Sequence, residues 1–131
     1  MLNLVNSNTP EIYPFVYQCY SKETGLFFGF NSENGCIINS EEGIQQGDPL
    51  GPFLFSLTIN HLIRSCKSEL NLWYLDDGTI ASDTETVLAD YKKILEAGES
   101  LGLNVNPSKC ELCLLEPQSE ECINALETFC E

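Results

Sequence analysis

Two adjacent carboxylates, Asp76 and Asp77, stand at the end of an apolar run, Leu70-Asn71-Leu72-Trp73-Tyr74-Leu75, and Gly78 follows them at once. Neighbouring carboxylates repel, and each disfavours ionisation of the other unless water or a cation takes up the charge. Hard oxygen donors at the end of a stiff apolar strand suit a divalent cation. The same residues also read as a solvated Asp-Asp-Gly turn, which needs no ligand. Gln45-Gln46-Gly47 offers amides to a partner beside a glycine that lets backbone approach closely, although an ordinary loop has the same composition. His61, the single histidine, falls on an apolar helical stripe, where packing is a commoner role than ligation. Cys110 and Cys113 with Cys122 and Cys130 raise a zinc site. The first two would face opposite sides of a strand and the later spacings fit no common knuckle, so ordinary thiols are the better reading.

The flanking residues define the elements that position these groups. Leu70, Leu72 and Tyr74 share one face of a strand, with Trp73 and Leu75 on the other. Asp77-Gly78 predicts a tight turn with positive φ at the glycine, and Thr79-Ile80-Ala81 returns as the second strand, which leaves the acids at a hairpin tip. Upstream, Asp48-Pro49 predicts a capped helix over 49–66 with Leu50, Phe53, Leu54, Leu57, His61 and Leu62 as its buried stripe. Downstream, Ser82 with Glu85 forms a capping box. Val87, Leu88, Tyr91, Ile94, Leu95, Gly98 and Leu101 then keep helical period to Gly102.

Earlier in the chain, Asn6-Ser7-Asn8 predicts a break. Thr9-Pro10 predicts a helix start, with Ile12, Phe15, Val16, Cys19 and Tyr20 at helical spacing. Residues 26–30 and 36–38 read as a hairpin around a five-residue loop, its aromatics directed to a core. Residues 103–115 read as strand, proline turn, strand. Residues 116–131 form an acidic tail in which Cys122, Ile123, Leu126 and Phe129 have the spacing of a short helix.

A chain of 131 residues, 43% apolar, suits one domain over 1–131. Six lysines and arginines against twenty aspartates and glutamates give a net charge of −14. That field opposes nucleic acid and anionic membrane over the surface as a whole. Seven cysteines, an odd number, follow a start with no secretory leader, which predicts reduced thiols and an intracellular chain, cytoplasmic or nuclear. No apolar stretch reaches the ~18 residues of a membrane span.

Three motifs, Gly43-Ile44-Gln45-Gln46-Gly47-Asp48-Pro49-Leu50-Gly51-Pro52, Tyr74-Leu75-Asp76-Asp77-Gly78 and Leu101-Gly102-Leu103-Asn104-Val105-Asn106-Pro107-Ser108-Lys109-Cys110, occur in that order over residues 10–115. Together they resemble the palm of a reverse transcriptase, an RNA-directed DNA polymerase, of the non-LTR retrotransposon type. The resemblance implies an α+β fold, a partial polymerase palm with antiparallel strands and helices packed on one face. It implies that Asp76, with Asp77 beside it, binds catalytic Mg²⁺ (or Mn²⁺), and that Tyr74 lies against the end being extended. Gln46 and Gly47 would touch template and incoming nucleotide, and Lys109 would assist departure of pyrophosphate. The implied chemistry is nucleotidyl transfer to a primer 3′ end on an RNA template, with two ions stabilising the attacking and leaving oxygens.

The chain departs from that family pattern. A further metal-binding aspartate is expected before the Gln-Gly motif, within Asp-X-X-X-Ala-Phe, and residues 1–47 contain no aspartate. The expectation is therefore a palm truncated at both ends, without fingers or thumb, inactive alone and binding RNA template and DNA primer weakly or not at all. An open sheet edge beside the strand over 71–75 predicts self-association. The alternative is a domesticated, non-catalytic interaction module built on a palm remnant.

Overall fold

A computed structural model describes residues 1–29, 35–114 and 123. The fold is α+β, in the order α1 (Leu2–Asn8), α2 (Tyr13–Tyr20), β1 (Thr24–Phe28), β2 (Cys36–Ser40), α3 (Gly51–Ser65), β3 (Leu70–Tyr74), β4 (Asp77–Ala81) and α4 (Thr84–Ser100). A single 3₁₀ turn follows at Pro107–Lys109. The strands form two separate two-stranded sheets, β1 with β2 and β3 with β4. Contacts divide the chain into two units, Met1–Ser65 with Trp73–Gly78, and Cys66–Leu72 with the segment from Thr79 onward.

The core of the first unit is made by Val5 of α1, Val16 of α2 and Leu54 of α3, all fully buried. Ile12, Tyr13, Tyr20, Ile44, Leu50 and Leu57 pack around them. Each fully buried side chain of this kind contributes roughly 1.5–3 kcal/mol. Helix α1 runs through Asn6-Ser7-Asn8 rather than breaking there, because the polar side chains bond back along the helix. Asn8 Nδ2 donates to the Leu4 carbonyl at 2.8 Å and Thr9 Oγ1 to that of Val5 at 3.3 Å. Thr9 thus closes α1 instead of opening α2. Helix α2 begins at Tyr13, with Ile12 at its N-cap and Pro14 in its first turn.

Helix α3 departs from its predicted stripe. Gly51, Leu54, Ile59 and Leu62 are its buried residues, whereas Phe53 is 39% exposed and His61 is exposed. The cause lies at Gly51: a Cβ there would stand 3.3 Å from Ile44 and 3.6 Å from the Gln45 carbonyl, so the preceding loop covers the helix on that side. His61 instead lines a surface depression with Leu4, Asn8, Leu57, Asn60 and Arg64.

Strands β1 and β2 pair antiparallel, with Leu26 opposite Ile38, Phe27 opposite Ile37 and Phe28 opposite Cys36. The first strand lies two residues earlier than expected, since Gly29 at φ 68° follows its end, while the second runs two residues further, to Ser40. Leu26, Phe27, Phe28, Ile37 and Ile38 are each half or more exposed. The aromatics of this ribbon are therefore not core, because among the described residues no second layer covers either face.

In the second unit Asp83, not Ser82, caps α4, accepting from the Thr86 N–H at 2.9 Å. Gly102 ends the helix at φ 76°, where the N–H of Leu103 returns to the Gly98 carbonyl at 2.9 Å. The predicted strands over 103–115 do not form in the described part. Asn106 Oδ1 accepts from the Ser108 N–H at 3.1 Å and from its hydroxyl at 2.7 Å, and this local bonding ahead of Pro107 draws the backbone into a 3₁₀ turn. The acidic tail, including Cys122 and Cys130, lies outside the described residues apart from Ile123.

Candidate functional site

The chain reverses at Leu75-Asp76, two residues earlier than the expected Asp77-Gly78 turn. Leu75 itself carries the positive φ, 56°, and Asp77 and Gly78 belong to β4. The two-residue connection Leu75-Asp76 joins β3 to its sheet neighbour β4 as a hairpin. Gly78 serves packing rather than turning: a Cβ there would lie 2.6–2.7 Å from three atoms of the Trp73 ring. The indole therefore rests on the glycine and stiffens the end of the hairpin. A bulky residue in the left-handed region is strained, and here that strain lies beside the first carboxylate.

Asp76 occupies the turn and Asp77 opens β4, both exposed. No hydrogen bond or ion pair within the described residues engages either carboxylate. Tyr74, the last residue of β3, is 78% exposed, and Leu72 on the same face is 61% exposed. The donor set fits a hard divalent ion, since Mg²⁺ is commonly held by one or two carboxylates while keeping several waters. Among the described residues, no cluster of three or more histidine, cysteine or acidic side chains is placed to hold a metal.

Gln46 and Gly47 form the exposed centre of a turn closed by the Asp48 N–H donating to the Gln45 carbonyl at 3.2 Å. Gly47 sits at φ 88° with open space around its Cβ position, so conformation rather than crowding requires glycine. Asp48 anchors the turn: its Oδ1 accepts from the Leu50 N–H at 2.9 Å, and its Oδ2 accepts from the Tyr20 hydroxyl. Burial and then this bond push the Tyr20 phenol up to about 12, while the same bond holds the Asp48 carboxyl below its usual range. Tyr20 thus stays neutral in the fold after a free tyrosine has ionised. Its stabilising contribution is complete below pH 10 and is lost as pH rises toward about 12. An alkaline absorbance titration is expected to show one tyrosine ionising last, and Tyr20→Phe is expected to remove that late step.

The structure places Tyr74, Asp76 and Asp77 on one hairpin, and Gln46 and Gly47 on the loop before α3 in the same unit. Lys109, exposed on the 3₁₀ turn, belongs to the other unit. Two polar contacts between distant segments were missed by sequence reasoning. The bond from Tyr20 to Asp48 spans 28 residues and left no local signal. Asp90 did leave one, being a charged residue on the otherwise apolar 87–94–98 face of α4.

A family profile for reverse transcriptase (RNA-dependent DNA polymerase) matches residues 4–126, and the chain belongs to that family. It is 32% identical over 117 residues, 76% of this chain, to the retrovirus-related Pol polyprotein from type-2 retrotransposable element R2DM of Drosophila melanogaster. It is 29% identical over 98 residues, 66% of this chain, to the Pol polyprotein from type-1 retrotransposable element R2 of Nasonia vitripennis. Over 87 residues, 61% of this chain, it is 34% identical to the retrotransposable element SLACS 132 kDa protein of Trypanosoma brucei gambiense. These matches cover 11%, 10% and 7% of the relatives, so the chain spans about a tenth of their length. No solved structure matches. Among the described residues no helix is long and apolar enough to cross a membrane.

Proposed function

We propose that this chain supplies the carboxylate hairpin of an RNA-directed DNA polymerase palm, with Asp76 as the metal ligand and Asp77 as its support. The observation that carries the reading is the exposed, unengaged Asp76-Asp77 pair at a stiff hairpin end, in a chain of the reverse transcriptase family. Mg²⁺ or Mn²⁺ at Asp76 would neutralise charge developing on the reacting oxygens of an in-line displacement. Tyr74, on the same hairpin, offers its ring to the primer end, and Gln46 and Gly47 present amide groups to template and incoming nucleotide. Lys109 would meet departing pyrophosphate. RNA template and DNA primer are the proposed partners.

The chain by itself is proposed not to be a complete catalyst. Asp76 and Asp77 are consecutive at a turn and a strand start, so they approach an ion from one side only, and a two-ion cage needs anionic oxygen from another. The exposed apolar face of β3, Leu70, Leu72 and Tyr74, supports self-association or cover by another polypeptide. The test of the metal reading is Mn²⁺ binding to the chain and to Asp76→Ala, with binding at the hairpin expected only in the first.

A further inference from the structure

Asp90 is a charged side chain where α4 should bury an apolar one. It is 1% exposed, one of only two buried residues of that helix, the other being Gly98. Burying a carboxylate costs several kcal/mol unless it is fully bonded, and an apolar residue of similar volume is often as stable. Asp90 is hydrogen-bonded through one oxygen and ion-paired through the other. Its Oδ2 accepts from the Lys67 N–H, the Ser68 N–H and the Ser68 hydroxyl, each at 2.7 Å, and its Oδ1 faces the Lys93 ammonium at 3.6 Å. Burial raises its pKa, but the bonds from Ser68 and Lys67 and the Lys93 charge outweigh this and hold the carboxyl below its usual range. Cys66 feels the same charge: burial and then Asp90 push its thiol up.

The groups Asp90 holds are not arbitrary. Lys67 and Ser68 lie in the connection between α3 and β3, and Leu70 begins β3 two residues later. Backbone N–H groups leaving a helix for a strand have no ladder partner, and where the backbone is buried, as at Ser68, each must find an acceptor. One carboxylate oxygen satisfies two of them, two residues before β3 starts. We propose that Asp90 is a positioning residue for the carboxylate hairpin: by holding Lys67 and Ser68 it anchors the segment that enters β3, and with it steadies the presentation of Asp76. The part concerning the metal rests on Asp76 being a ligand.

The experiment compares Asp90→Ala, Asp90→Asn and Ser68→Ala with the unmodified 131-residue chain, at a temperature where circular dichroism shows each fully folded. Amide exchange at Lys67 and Ser68, Trp73 emission, the backbone chemical shifts of residues 74–78 and Mn²⁺ affinity are read. In Asp90→Ala the two amides are expected to exchange at least about tenfold faster, as befits loss of charge-assisted bonds. The hairpin shifts and Trp73 emission are expected to move, and Mn²⁺ affinity to fall about three- to tenfold, less than the roughly 10–100-fold lost when a direct outer partner of a metal ligand is removed. Asp90→Asn keeps an acceptor oxygen and is expected to retain most of each property, while Ser68→Ala moves the hairpin shifts less and in the same direction. Faster exchange at Lys67 and Ser68 with unchanged hairpin shifts and Trp73 emission would overturn the proposal, leaving Asp90 a local brace. Absence of any Mn²⁺ effect in the unmodified chain would count against Asp76 as a ligand, and the shifts and emission would still decide the role of Asp90. If Asp90→Ala does not fold, the graded shifts of the other two variants carry the decision.

Discussion

With Mg²⁺, an RNA template, a primer and nucleotides, the chain alone is expected to extend no primer beyond the background set by Asp76→Ala. The reason is geometric before it is kinetic. Asp76 in the turn and Asp77 at the start of β4 bring two carboxylates to one side of an ion, and a second ion lacking protein oxygen keeps its waters and aligns neither reacting oxygen. Loss of one preorganised electrostatic group commonly lowers a rate by ~10²–10³, and here a whole side of the site is unsupplied. A net charge of −14 also repels the template that must be held. The check is incorporation on a homopolymer RNA, with Mg²⁺ and with Mn²⁺. Incorporation that Asp76→Ala abolishes would mean that a further carboxylate completes the site, from Glu41, Glu42 or a second copy of the chain.

Leu54→Ala is expected to be the most damaging single truncation for the fold. Leu54 is fully buried between Val5 and Val16, so it ties α3 to both N-terminal helices. Removing its isobutyl group forfeits transfer energy and leaves a cavity, about 2–5 kcal/mol together. Small domains have only about 5–15 kcal/mol of total stability, so a large part of the folded population is at stake. A urea titration followed by circular dichroism is expected to show a much lower midpoint. Phe53→Ala, one residue earlier but at a side chain 39% exposed, is expected to shift the midpoint far less. Equal shifts would contradict the placement of the core.

The two variants also mark what was legible in the sequence. Helices α3 and α4 and the Asp-Asp hairpin were readable because period and turn chemistry are local properties, and their existence needed no partner. Which face of α3 is buried was not readable, since Ile44 and the Gln45 carbonyl lying over Gly51 decide it. Hence His61 was expected inside and stands outside. The hairpin turn was displaced because Leu75 accepts a strained φ, while Gly78 is taken up by the Trp73 ring; sequence chemistry favoured Asp77-Gly78. Residues 103–114 have strand-like alternation, yet a strand exists only where another pairs with it, and the Asn106 side chain supplied a nearer bond. The motif residues Gln46, Gly47, Tyr74, Asp76 and Asp77 were visible through family resemblance, and family membership is upheld. The bonds of Tyr20 to Asp48 and of Asp90 to Lys67 and Ser68 act across 28 and 22–23 residues and belong to tertiary structure.

The central claim, that Asp76 and Asp77 present a divalent-cation site, is tested most directly by adding substoichiometric Mn²⁺ to isotope-labelled chain and mapping the paramagnetic loss of amide signals. The twenty acidic residues provide many competing positions, so location rather than mere binding is the discriminating quantity. The account predicts that the amides of Leu75, Asp76, Asp77 and Gly78 broaden first, that Mg²⁺ restores them, and that Asp76→Ala abolishes the effect there. Broadening centred on other acidic residues, with the signals of residues 75–78 unchanged, would contradict it.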